Sequence, residues 1–276
     1  MKITSILAVV DGGPRSEAVA LGSFALAKAL GAYLEVLHVE ADPRDALPVV
    51  GEGMTGTLVE QVGADIEARR AAALKVAREA YEAGCAAQGI EARDSQPGSR
   101  GGRGFGAAWT RIQGREEEVV SDLGRFFDLI AVAHPGGEDG SAYAPALEAG
   151  LFQCGRPVLV LPKETCSLPA ARVAIAWNGS REATRAISGA LPMMDAAEAL
   201  ERLSAFLAGH GIEPKFRRLE AGGGDVGATL VREAQNDGAG LIVMGAYGHS
   251  RLREFVLGGA TRSVLNECAL PLLLAH

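Results

Sequence analysis

The sequence predicts an α/β protein built from two tandem doubly wound domains, each a parallel sheet flanked by helices. Three observations carry that expectation. Short apolar runs alternate with helical patterns, as in strand–helix–strand units whose sheet is covered on both faces. Three segments of the first half recur, in the same order, in the second. A glycine-punctuated run follows the penultimate strand, where an open α/β sheet places its ligand loop.

In the first half, strands are expected at 3–10, 33–39, 107–112, 128–133 and 157–161, and helices at 15–31, 57–89, 116–125 and 144–153. Glu60 to Ala87 is rich in Ala, Glu and Arg with apolar residues at helical spacing, so it reads as one long helix. Ser95 to Gly106 has turn composition and reads as an exposed loop. Its arginines fit a solvated loop better than an anion site.

The repeat is visible residue by residue. Ser5-Ile-Leu-Ala-Val-Val-Asp11 matches Arg172-Val-Ala-Ile-Ala-Trp-Asn178. Asp128-Leu-Ile-Ala-Val-Ala-His-Pro-Gly136 matches Gly240-Leu-Ile-Val-Met-Gly-Ala-Tyr-Gly248. The closing pieces, Cys154-Gly-Arg-Pro157-Val-Leu-Val-Leu and Cys268-Ala-Leu-Pro271-Leu-Leu-Leu-Ala, are closer still. Tandem duplication accounts for three matches in one order. It sets domains at 1–164 and 170–276, with the linker in Lys163-Glu-Thr-Cys-Ser-Leu-Pro169.

The second half lacks one element. Its first helix, Arg181 to Leu191, runs through Pro192-Met-Met194 into a second helical pattern from Asp195, with no second strand between them. A third strand is expected over Lys215-Phe-Arg-Arg-Leu219. Loss of an inner strand would strand N–H and C=O groups of its neighbours. A stretch is therefore expected to be missing between Met194 and Asp195.

Composition narrows the function. The chain has 276 residues, 48% of them hydrophobic, enough to bury the cores of two domains. Net charge is −7 with a pI near 5.4, which argues against a nucleic-acid binder. No apolar run approaches a membrane span, and the N-terminus reads as a strand, not a signal peptide. Four scattered cysteines without a C-x-x-C pair read as reduced thiols of a cytoplasmic protein. Five dispersed histidines point to no metal site.

The chemistry concentrates in Leu241-Ile-Val-Met-Gly245-Ala-Tyr-Gly248-His-Ser-Arg-Leu-Arg-Glu-Phe-Val-Leu-Gly258-Gly259-Ala-Thr261. A buried strand, a bare loop and a helix start together make a seat for phosphate, because free helix N-terminal amides attract anions. The spacing Gly245-x2-Gly248-x9-Gly258 resembles the nucleotide loop of the universal stress protein family. That resemblance implies five-stranded sheets ordered 3-2-1-4-5, an ATP-type ligand (ATP or AMP, with Mg left open), and association of domains through their last strands. In a tandem chain, such association makes an internal pseudo-dimer, with homo-oligomers a further possibility.

By the same resemblance, Asn178 takes the place of an acidic residue near the ribose or the phosphate-bound metal. Met244 falls near the base or ribose, Gly245 and Gly248 admit the phosphates, and Gly258, Gly259 and Thr261 close over them. His249 and Ser250 complete the loop, each reading equally as an exposed or turn-capping residue. The family usually follows the last glycine with Ser or Thr, whereas here Gly259 stands there and the nearest hydroxyl is Thr261.

The first half keeps Asp11-Gly12-Gly13 but has lost the glycine loop: Gly136 opens a shorter connection carrying Glu138 and Asp139, and a proline sits at the next helix start. Its site, Asp11 and Gly136, reads as degenerate. Gly222-Gly-Gly224-Asp-Val-Gly227 fits a dinucleotide fingerprint but follows the wrong strand, so Asp225 reads as a helix cap. No P-loop and no nucleophile elbow occur. No catalytic residue stands out. The expected function is a nucleotide-responsive stress or regulatory protein, not an enzyme beyond slow ATP hydrolysis. The competing expectation is a ligand-free interaction scaffold.

Overall fold

The computed structural model describes residues 3–41, 56–95, 104–135, 144–162, 164, 168, 172–193, 201–215, 217, 219, 225–246 and 259–276. The first half supplies β1 (Ser5–Val9), α1 (Ser16–Leu30), β2 (Tyr33–Glu40), α2 (Gly56–Gln88), β3 (Gly106–Gln113), α3 (Glu116–Gly124), β4 (Leu129–Ala133), α4 (Pro145–Phe152) and β5 (Val158–Leu161). The second supplies β6 (Val173–Ala176), α5 (Arg181–Ala190), a 3-10 turn (Leu191–Met193), α6 (Glu201–Ala208), α7 (Val226–Asn236), β7 (Leu241–Gly245), α8 (Gly259–Glu267) and β8 (Leu272–Ala275).

All eight strands join one sheet, ordered β3-β2-β1-β4-β5-β8-β7-β6. Every pairing within a half is parallel, and β5 meets β8 antiparallel, Leu159 opposite Leu273. Strand β1 is buried at all five positions, as its unbroken apolar run requires in a sheet sandwiched between helices. One face packs α1, α2, α5 and α6 through residues such as Phe24, Tyr81, Ile187 and Leu207. The other packs α3, α4, α7 and α8 through Val120, Leu147, Val231 and Val264. Both cores run across the junction of the halves.

The sequence expects five strands in each half, but among the described residues the second half contributes three. Lys215, Arg217 and Leu219 of the expected third strand lie outside any strand. Arg217 instead pairs with Glu233 at 2.9 Å and Asp237 at 2.8 Å, at the end of α7. A run with three cations in five positions is drawn to those acids more readily than to a sheet core. The stretch around Met194 and Asp195, where missing residues are expected, lies outside the described residues. No described helix is long and apolar enough to cross a membrane.

A carboxylate ties the first half together at the base of its central strands. Asp128 Oδ2 accepts hydrogen bonds from the Thr4 and Ser5 amides at 2.9 and 3.1 Å and from their hydroxyls at 2.7 and 3.2 Å. Burial pushes its pKa up, yet the four donors together hold it below the ordinary carboxylate range. A depressed acid stabilises the fold above about pH 4, and that contribution disappears as pH falls through the lower folded-state value. Asp128→Ala is expected to cost about 1–3 kcal/mol at neutral pH. Urea unfolding should show that gap shrinking in acid.

Candidate functional site

In a doubly wound sheet, a ligand crevice opens where neighbouring strands send their connections to opposite faces. Strands β6 and β7 meet that condition. Ala176 pairs with Met244 at their carboxyl ends, α5 leaves for the face of Ala186 and Ile187, and α8 for the face of Val264 and Leu265. The β6–α5 turn and the end of β7 therefore share one edge of the sheet.

On the β6 side, Asn178 is exposed. Its Oδ1 accepts the Ser180 amide at 3.0 Å, and Gly179 between them takes φ +77°, where a side chain would be strained. Ser180 caps α5, its hydroxyl accepting the Ala183 amide at 3.1 Å. The Asn178 carboxamide thus shapes the turn from an exposed position.

On the β7 side, packing explains one glycine without any ligand. A Cβ on Gly245 would come within 2.5 Å of the Ala183 nitrogen and 2.8 Å of Glu182, so only glycine lets β7 meet the first turn of α5. Met244 is 6% exposed, within the core beneath α7 and α8. The Ala246 amide donates to the Ala275 carbonyl at 2.8 Å and is committed to the sheet. Gly259 opens α8, and Thr261, one turn in, is 7% exposed. Gly248, His249, Ser250 and Gly258 lie outside the described residues.

Two acids stand near these elements. Glu182, buried at the start of α5, pairs with Arg181 at 3.1 Å. Asp225 caps α7 by accepting the Gly227 and Ala228 amides at 2.7 and 3.1 Å, and it also accepts the Ser263 hydroxyl of α8. Those bonds, Ser263 foremost, hold its pKa below the usual range. A Cβ on Gly227 would fall 2.4 Å from the Ala260 carbonyl oxygen. The fingerprint-like glycines thus include one helix-packing glycine beside a cap.

At the matching crevice between β1 and β4, the described side chains engage one another. Asp11 Oδ1 accepts the Gly13 amide at 2.8 Å and the Ser16 hydroxyl at 3.1 Å. A Cβ on Gly12 would lie 2.2 Å from the Ala73 carbonyl oxygen, so α2 rests on this turn. Arg15 reaches across the crevice and donates to the His134 carbonyl. At the start of α4, Pro145 offers no amide, and the next amide, Ala146, donates to the Glu116 carboxylate. Burial pushes the Glu116 pKa up to about 7, with the charges of Asp11 and Glu117 adding to it and the Ala146 bond opposing. The helix N-terminus that would attract phosphate thus faces an internal carboxylate. Gly136 lies outside the described residues.

Arg15 and Glu116 escape a reading of the sequence, because their partners lie far along the chain or in other elements. The one available signal is the acidic triplet Glu116-Glu-Glu118 opening a helix. Among the described residues, no cluster of three His, Cys, Asp or Glu is placed to hold a metal ion.

Comparison with known proteins agrees with this architecture. Residues 170–276 match the model of the universal stress protein family. The chain is similar to the crystal structure of a universal stress protein from Archaeoglobus fulgidus DSM 4304, with a TM-score of 0.61 and 17% identity over 98% of this chain and 95% of that one. It is also 40% identical, over 45 residues, to the universal stress protein Slr1230 of Synechocystis. That match spans 16% of each protein.

Glu116 yields a pH signature. An acid with a raised folded-state pKa favours the fold while protonated, below about pH 4, and that contribution is lost as pH rises through about 7. Glu116→Gln keeps an acceptor for Ala146 without the charge. It is expected to gain on the order of 1–3 kcal/mol over the natural protein at pH 8 and almost nothing at pH 4, as read by denaturant titrations at the two pH values.

Proposed function

With residues 170–276 carrying the universal stress protein domain as premise, we propose that the chain is a tandem protein of this family that binds an ATP-type nucleotide in its second half. The observation that supports this reading is the crevice between β6 and β7, with Asn178 exposed on one lip and α8 opening on the other. The glycine run of 245–259 connects β7 to α8 in sequence. Free amides at the start of α8 would take the phosphates, and the Asn178 carboxamide would take a sugar hydroxyl. Asn178 carries no charge to neutralise Mg²⁺, so a nucleotide held without tight metal coordination, AMP included, fits this chain.

The first half serves as framework. Its crevice, crossed by Arg15 and faced by Glu116, leaves no bare anion seat among the described residues. The β5–β8 pairing is then the contact through which separate domains of the family associate, made here within one chain. The role is sensing or regulation, since no described group is placed as a base for attack on phosphate. Reduced thiols fit a cytoplasmic setting: Cys85, Cys154 and Cys268 are buried and free.

A ligand-free scaffold is the second reading. Two observations favour it: Gly245 is already required by its contact with α5, and Thr261 is largely buried.

Isothermal titration of the full chain with ATP and AMP separates the readings. Binding with a micromolar-range constant, abolished by Gly248→Arg and accompanied by negligible turnover, is expected of the nucleotide sensor. No heat at millimolar nucleotide would leave the scaffold standing.

A further inference from the structure

We propose that the groove between α2 and the outer edge of β3 is a second ligand site, suited to a small organic anion with a flat apolar body. It lies on the far side of the first half from the β6–β7 crevice, and it does not depend on the nucleotide reading.

The groove is a largely open depression of about 540 Å³, a volume within the range of small-molecule sites. Helix α2 lines it with Leu74, Lys75 and Arg78, adjacent on one face at helical spacing. Strand β3 contributes Trp109 and Arg111, alternate residues that share a face. Asp94 forms the third wall, held by a bridge in which the Ser95 amide donates to the Trp109 carbonyl at 2.7 Å and Trp109 donates to Arg93 at 2.8 Å.

The floor is rigid and aromatic. Trp109 is 5% exposed, stacked on His38 at 6.1 Å and packed on Tyr81 at 5.7 Å. The Arg78 guanidinium lies over both rings, 5.4 Å from Tyr81 and 5.6 Å from Trp109. Glu82 at 2.8 Å and Asp94 fix it further. Arg78 therefore acts as a fixed cation, with little entropy left to lose on binding.

The other two cations stand free enough to engage a ligand. The Lys75 side chain is 75% exposed and lies 3.8 Å from Glu79, a helix-surface pair of little strength. Arg111 gives one arm to Glu40 at 2.7 Å and is otherwise half exposed. They rise from opposite walls over an apolar base. Three cations and one acid, Asp94, line the groove, while the other acid partners of those cations, Glu40, Glu79 and Glu82, stand outside the lining. A carboxylate or phosphate held between Lys75 and Arg111, with its apolar body against Leu74 and the edge of Trp109, satisfies both features.

The test uses the full chain carrying Trp177→Phe, so that Trp109 supplies the sole indole N–H signal. Benzoate, phenyl phosphate and uncharged benzamide are titrated in turn, by NMR and by equilibrium dialysis. Both anions are expected to move the Trp109 signal and to bind roughly tenfold more tightly than benzamide, and the tighter of the two assigns the headgroup. Lys75→Glu, a change at an exposed position that leaves the core intact, should weaken binding about tenfold, while Lys75→Arg retains it. Equal binding of benzamide, indifference to Lys75→Glu, or no binding at millimolar probe would each overturn the proposal. None of these outcomes bears on ATP binding by the same protein.

Discussion

The antiparallel pairing of β5 with β8 is the constraint on which the rest of the molecule depends. Val158, Leu159 and Val160 face Leu274, Leu273 and Leu272, and all six are fully buried. Apart, each half would end in a bare apolar edge, open to pairing with any other strand. Together they close both edges and make the two hydrophobic layers continuous. Helix α5 adds to the junction by resting on Pro157 of the first half: a Cβ on Gly189 would lie 2.6 Å from that ring. Because the join is antiparallel and all other pairings are parallel, the carboxyl ends of the two sets of strands point in opposite directions. The two crevices therefore open on opposite edges of the sheet.

The halves differ in how firmly they are built. Strand β1 is flanked by β2 and β4 and wholly buried, whereas among the described residues β6 is the last strand of the sheet, with three of its four residues partly exposed. Where Asp128 ties β4 to the start of β1 with four hydrogen bonds, the matching position in the second half is Gly240, which has no side chain to do so. In the well-tied half, Arg15 bonds the end of β4 and Glu116 bonds the start of α4. The more lightly tied half keeps the glycine run.

Much of the fold was legible from the residues. The unbroken apolar runs gave β1, β4, β5, β7 and β8, because a strand covered on both faces needs no polar alternation. The Ala, Glu and Arg pattern gave α2 nearly to its ends, and Asp225 was readable as a cap. Of the strand expected at Lys215 to Leu219, the described residues Lys215, Arg217 and Leu219 lie outside any strand, and Arg217 finds Glu233 and Asp237, a tertiary contact that no local pattern reveals. The site was less legible. A glycine needed by a ligand and one needed by a helix look alike in sequence, and only the approach of Ala183 to Gly245 distinguishes the packing requirement. Likewise, Pro145 at the start of α4 was visible in the sequence, but the bond from the Ala146 amide to Glu116 depends on a contact between α3 and α4.

Amide hydrogen exchange tests the shared sheet most directly. Leu159 and Val160 of β5 and Leu273 and Leu274 of β8 should exchange with equal slowness, at the rate set by global unfolding, as expected for the central seam of one cooperative unit. Fast exchange in both strands, or protection of one without the other, would contradict a single sheet spanning the two halves.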